Sequence, residues 1–358
     1  MFNLRWYSHI SIVACLMLLG GFAWLMVLNQ QSLFTRGEIA AFYSDAQYIA
    51  QVAANIVQGK SYSYWDGYIY SFWDYEISSG PVVIYPLALA LQLGLGKYHA
   101  LFFVPLFVNC LLLTLLITLV FHRYSAAIAL SVAVIVGVLF LGVQRWLWYL
   151  PLGEVSGMLL LLLSLFLLLE TSRWRLAALL LGTSLLSKLV FILCVPVVIF
   201  FVILQRGWLK AFKFSVICAL PILSFICLLF VFSPDSVSLT RFMERFYVLL
   251  MDSFLWSIPE YVYRDQVGEF GFLKRLLWNF KVYNGVWWDN WDFTLLVIVA
   301  AIFIGLTVAA WLYSSAPEKK QAIVLFYGIV IVFFIWAFCI GLKGGRYGYP
   351  FYIALFFA

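Results

Sequence analysis

The sequence predicts an all-α polytopic membrane protein with about nine full transmembrane helices, a tenth cut at the C-terminus, and juxtamembrane helices in the first outer loop. Three observations carry that reading. Hydrophobic residues make up 65% of the 358 residues and charged residues only 11%, against roughly half and a quarter in a soluble domain. Apolar stretches long enough to cross hydrocarbon, about 20 residues each, recur along the chain. The formal charge of +6 sits between those stretches, where topology signals sit, and not in an aromatic-interleaved basic face of the kind that binds nucleic acid.

In chain order, Arg5 precedes the run Ile10 to Leu28. With no small-residue cleavage site after it, the run reads as an uncleaved first span and not as a signal peptide. Ile12 to Cys15 looks like a lipoprotein box, but the apolar stretch before it is too short. Further spans are expected near residues 99–120, 126–143, 154–170, 212–232, 293–313 and 321–341. The chain stops at Ala358, nine residues into the run from Pro350, so the last span looks cut. Two stretches are ambiguous: Pro81 to Gly96 is short and bounded by proline and glycine, and Leu176 to Leu204 is one long run interrupted by Lys188.

The positive-inside rule arbitrates between them. If Pro81 to Gly96 lies on the membrane and the chain turns round near Lys188, then Arg5, Arg123, Arg173, Arg175, Arg206, Lys210, Lys213, Lys319 and Lys320 all face the cytoplasm. Only Arg145, Lys343 and Arg346 remain in the short outer turns. The opposite choice sends Arg123, Arg173 and Arg175 outside. Residues 1–358 then form one transmembrane domain, in which the loop from Asn29 to Tyr98 (29–98), the turn from Gln144 to Gly153 and the loop from Ser233 to Asp292 (233–292) meet on the outer side.

The residues able to carry chemistry cluster on that side. Ser44-Asp45-Ala46-Gln47 reads as a capping box, followed by Tyr48, Val52 and Ile56 at helical spacing and by Gly59 as a stop, which together predict an interfacial amphipathic helix. Asp45 then either serves the cap and dipole or is a functional carboxylate. Asp66, Asp74 and Glu76 lie among Tyr62, Tyr64, Trp65, Tyr68, Tyr70, Phe72, Trp73 and Tyr75, a mixture that fits an interfacial belt or a sugar-stacking wall. Glu154 opens an apolar span, as a functional boundary carboxylate or as a dipole-compensating acid, and Arg145 is near enough in sequence to pair with it.

Lys188 stands in apolar sequence, so it must reach water, a carboxylate or a phosphate, or snorkel to the interface. Lys343-Gly344-Gly345-Arg346 offers charge and free backbone amides, which suits a phosphate but also an ordinary interfacial turn. The second long loop carries Arg241, Arg245, Arg264, Lys274, Arg275 and Lys281, then Trp287, Trp288, Asp289, Asn290, Trp291 and Asp292, which fit a sugar ring or a tryptophan belt. The six cysteines, Cys15, Cys110, Cys194, Cys218, Cys227 and Cys339, read as small core residues, with no disulfide framework or CxxC pair. The histidines His9, His99 and His122 are scattered and build no metal site.

The segments YSDAQYIAQVAANIVQGKSY, ISSGPVVIYPLALALQLGLGK, YLPLGEVSGMLLLLLSLFLLLE, GTSLLSKLVFILCVP and KGGRYGYP, in that order, resemble the GT-C superfamily of polyprenyl-phosphate-dependent glycosyltransferases. The similarity is to the bacterial membrane enzymes related to protein mannosyltransferases and to the lipid A aminoarabinose transferase. The resemblance implies that Asp45 matches the catalytic carboxylate after the first span, that Pro81 to Gly96 is a juxtamembrane helix and that Lys188 lies on the outer side near the donor phosphate. Glu154 falls where some members carry a second acid. Ala46 stands where many members have an acid, and no soluble outer domain follows the spans, which leaves metal dependence open: a divalent metal is compatible and none is certain.

The chemistry implied is inverting transfer of a sugar from a polyprenyl-phosphate donor to an acceptor hydroxyl on a glycan, lipid or protein at the outer face of a bacterial inner membrane, with membrane lipid as surroundings and no nucleic acid. Asp45 would be the base, with Glu154 as second catalytic acid. Lys188, Lys343 and Arg346 would hold the donor phosphate, and Asp74, Glu76, Arg145 and Trp288 would contact acceptor or sugar. The rival classes are a transporter or flippase of a lipid-linked sugar, which would often show internal repeats that are not found here, and an assembly subunit.

Overall fold

The computed structural model describes residues 49–60, 62, 64–65, 70–71, 80–123, 153–232, 325 and 328–329. The expected spans at 10–28, 126–143 and 293–313 and the loop 233–292 lie outside them. Of the span expected at 321–341, residues 325, 328 and 329 are described, and all are helical.

The described chain is helical almost throughout. Its elements are α1 (residues 49–57), a two-residue antiparallel ladder of β1 (Tyr64–Trp65) and β2 (Tyr70–Ser71), then α2 (Pro81–Gln92), α3 (Lys97–Arg123), α4 (Glu154–Glu170), α5 (Trp174–Ser187), a 3₁₀ turn over Leu189–Leu193, α6 (Cys194–Arg206) and α7 (Trp208–Phe232). Two helices, His99–Arg123 and Trp208–Leu228, are long and apolar enough to cross a membrane. By compactness the chain divides into one unit of Met1–Ile192 with Phe212–Ser238 and another of Leu193–Ala211 with Leu239–Ala358.

In the first unit α4 is the central helix. It is buried on nearly every face, from Glu154 and Val155 to Leu167 and Leu168, as a helix apolar all round must be. It packs against α3 and α5, and α2 packs against the same two helices. α3 buries Phe102, Leu106, Leu113, Ile117 and Val120, a spacing of three and four that keeps one face on the core. Phe103, Phe107, Leu111 and Leu115, four residues apart, form its exposed stripe, and α7 exposes Phe212, Val216, Leu220 and Leu223 in the same way. Outward stripes of large apolar side chains are suited to lipid.

Two helix C-termini in this unit are set by glycine. Gly59 (φ 74°) and Gly94 (φ 88°) take the left-handed conformation. Each closes its helix with the paired bonds of a Schellman cap, Lys60 N–H to Asn55 O (2.8 Å) with Gly59 N–H to Ile56 O (3.0 Å), and Leu95 N–H to Ala90 O with Gly94 N–H to Leu91 O (both 3.0 Å). At 12 residues, α2 is about 18 Å long, too short to cross hydrocarbon about 30 Å thick, which fits the juxtamembrane expectation for Pro81 to Gly96.

α1 differs in detail from the expected stripe. It buries Ile49, Ala50, Val52 and Ala53 with Asn55, and Ile56 is only half-buried. Tyr62, expected in an interfacial belt or sugar wall, is 2% exposed. It packs edge-on to Phe225 of α7 at 5.1 Å and tilted against Tyr85 of α2 at 5.9 Å, so it is a core residue joining the first loop to two helices. Cys194 and Cys218 are buried as expected, whereas Cys227 is exposed.

In the second unit, α6 buries Cys194, Val198, Phe201 and Val202. Gly328 lies so close to Val197 that a Cβ there would stand 2.7 Å from the valine Cγ1.

Candidate functional site at the Lys188 break

The long run from Leu176 to Leu204 is broken at Lys188. The residue is extended (φ −153°, ψ 129°) between α5 and the 3₁₀ turn. Its N–H still donates to Ser184 O at 3.1 Å, and its carbonyl accepts from Phe191 N–H at 3.3 Å. Two short helices flank the lysine, as the charge pattern requires.

Its ammonium does not snorkel. Lys188 Nζ donates to Glu154 Oε1 at 2.6 Å, and both side chains are 2% exposed. Taking each charge from water costs several kcal/mol even after relaxation, so the charge-assisted bond is what allows the lysine to sit among apolar helices. Glu154 also occupies the first turn of α4, where the helix dipole favours an ionised carboxylate. The two readings of Glu154 are therefore compatible. Its partner is Lys188 on another helix; Arg145, placed near it by sequence, lies outside the described residues.

The pair is framed by a tight junction of glycine and serine. Gly153 caps α4 in the left-handed region (φ 80°), and a Cβ there would stand 2.2 Å from Ser187 O. Its carbonyl accepts from Ser187 Oγ (2.8 Å), Ser156 Oγ (3.3 Å) and Gly157 N–H (2.9 Å). The two serine hydroxyls also lie 2.5 Å apart, and since each has one hydrogen, at any one time one serine donates to the other while the second donates to Gly153 O. Gly157 leaves room for the ring of Phe191, whose Cε2 would lie 2.1 Å from an added Cβ. From the first loop, Gly80 N–H donates to Ser187 O at 3.0 Å, and a Cβ on Gly80 would stand 1.9 Å from Leu186 O. Three helix ends, the starts of α2 and α4 and the end of α5, thus converge at the ion pair with backbones nearly in contact.

At the opposite end of α4, Arg123 Nε donates to Glu170 Oε2 at 2.8 Å, largely in the open. Residues 171–173 turn the chain into α5, where Arg173 and Arg175 are exposed. Arg123, Arg173 and Arg175 therefore gather at one end of the layer, and Glu154 with Lys188 lies at the other.

Of the residues expected at a site, the structure brings together Glu154 and Lys188. Asp45, Asp74, Glu76, Arg145, Trp288, Lys343 and Arg346 lie outside the described residues. The sequence reading passed over Ser156, Ser187 and Gly80. The signal for the two serines was the small residues flanking each break, in GEVSG and LLSK, and Gly80 lies in a third such stretch, SSGP. Among the described residues, no three His, Cys, Asp or Glu side chains converge on a possible metal position.

Comparison with protein-family models, with curated proteins and with solved structures returned no match for this chain.

Proposed function

We propose that the chain is a multi-pass membrane glycosyltransferase of the GT-C kind, which moves a sugar from a polyprenyl-phosphate donor to an acceptor hydroxyl at the outer face of a bacterial inner membrane. The observation that carries the reading is the buried Lys188–Glu154 pair at a helix break. A cation that would be costly in apolar surroundings is held in one position by a carboxylate, beside a backbone junction reached from the first loop through Gly80.

On this reading Glu154 positions Lys188, whose ammonium stabilises charge on the departing phosphate together with Lys343 and Arg346. Asp45 is the base that takes the acceptor proton, and direct displacement inverts the anomeric carbon. Asp74, Glu76, Arg145 and Trp288 contact sugar or acceptor. The helix α1 that follows Asp45, the loop residue Tyr62 and the juxtamembrane helix α2 supply a scaffold that ties the first loop to the spans.

The deciding experiment incubates purified protein with a sugar-loaded polyprenyl phosphate and measures free polyprenyl phosphate. Release above a protein-free control is expected, weakened in the Lys188→Met variant when the two are compared at equal amounts of folded, inserted protein. Transbilayer movement of the intact donor without release would identify a flippase, and neither release nor movement would leave an assembly role.

A further inference from the structure

From the corner between α4 and α5 we infer a binding site for an anionic phospholipid at the end of the bundle opposite Lys188. The corner is ordered: Thr171 Oγ1 donates to Leu167 O at 2.7 Å and accepts from Arg173 N–H at 3.1 Å. This bonding holds the start of α5 in place, with both Arg173 and Arg175 exposed. The guanidinium of Arg175 lies 5.5 Å over the ring of Trp174, which limits its rotamers and leaves its donors available on the far side.

Glu170, the acid at this corner, is already bonded by Arg123. Among the described residues neither Arg173 nor Arg175 has a carboxylate partner. Below Arg175 the same face of α5 carries Leu176 and Leu179, 43% and 37% exposed, while Ala177, Ala178 and Leu181 on the other side are buried. One surface therefore joins two cations and an interfacial tryptophan to an apolar strip, in the order of a lipid's headgroup and acyl chain. A guanidinium bonds phosphate through two donors at once, and an anionic headgroup adds attraction of about fivefold in affinity per arginine.

The inference rests on the membrane half of the proposed function and not on the transfer reaction. The test uses the full chain in nanodiscs, comparing phosphatidylglycerol with phosphatidylethanolamine and reading retained lipid by native mass spectrometry and unfolding temperature. Wild type is expected to retain phosphatidylglycerol and to unfold at higher temperature in it. An Arg173→Gln/Arg175→Gln double variant should lose both effects, while Arg173→Lys/Arg175→Lys should retain part of each. Equal retention and equal stabilisation in the glutamine variant would overturn the site. The same stabilisation by water-soluble glycerol phosphate would assign it to free phosphate and also overturn it. Extraction of the chain from membranes by alkaline carbonate without detergent would instead remove the membrane reading itself, a distinct failure.

Discussion

Lys188 and Glu154, 34 positions apart, share a 2.6 Å bond in which neither side chain is more than 2% exposed. Each charge is tolerated because the other is there. Removing one partner of such a pair costs roughly 3–5 kcal/mol, whereas removing both charges is often neutral. Lys188→Met and Glu154→Gln are therefore each expected to unfold at markedly lower denaturant concentration than wild type, and the double variant to recover most of the loss. Strictly additive losses would show that the two residues do not act on each other.

The glycine junction gives a second contrast. In Gly157→Ala the new methyl meets the Phe191 ring at 2.1 Å, and overpacking of this kind costs about 1–3 kcal/mol. Phe191→Leu in the same chain should restore part of it. Gly59→Ala has nothing within 4 Å of the new Cβ, but must hold φ near 74°, at a cost of about 1–2 kcal/mol that no neighbouring change relieves. Thermal unfolding of the three variants separates contact from backbone strain.

Arg123–Glu170 is an ion pair of similar length in a different setting. Its side chains are 58% and 25% exposed, and exposed pairs contribute about 0–1 kcal/mol. Arg123→Gln is expected to shift unfolding barely, and less in high salt, where the pair is screened. A loss comparable to that of Lys188→Met would mean that burial is not what makes the inner pair matter.

Asp45→Asn tests the proposed base. An amide accepts no proton but can still fill the capping role expected of Asp45 from the sequence, so turnover should fall by about 100 to 10,000-fold, while stability changes by only about 1 kcal/mol. Asp74→Asn is the neighbouring control, and both are compared at equal amounts of folded, inserted protein. Turnover near the wild-type rate, or a fall no larger than the control's, removes Asp45 from the mechanism.

Topology is read by labelling single cysteines with an impermeant reagent applied from outside. Asp66→Cys and Ser236→Cys should react. Ser172→Cys, in the exposed corner beside Arg173, should not. Its reaction would reverse the sidedness assigned to α4 and α5.

Helices whose existence depends on local pattern were legible beforehand. The helix expected at 154–170 is α4 to the residue, bounded by Gly153 and Thr171, although α4 is not one of the two described helices long and apolar enough to cross a membrane. The span expected at 212–232 begins earlier, at Trp208, because Lys210 and Lys213 end a hydropathy signal without ending a helix. The break at Lys188 was legible too, since a lone cation in apolar sequence must be accommodated somewhere. Its partner was not, because Glu154 is one of several acids and pairing across 34 positions is decided by how α4 packs on α5. Tyr62 was misread for the same reason: one tyrosine among many gives no local sign that Tyr85 and Phe225 will enclose it.

The carbonyl of Ser187 belongs to the last turn of α5, where a helix leaves its acceptors without partners in its own chain direction. Because Lys188 turns away into extended backbone, that oxygen is open to the side, and Gly80 N–H takes it. The discontinuity thus works as an anchorage. The entry to α2 is fastened to the peptide group that directly precedes the buried lysine, and a change that displaced Gly80 would take this donor from the Ser187 carbonyl at the same point where the helix breaks.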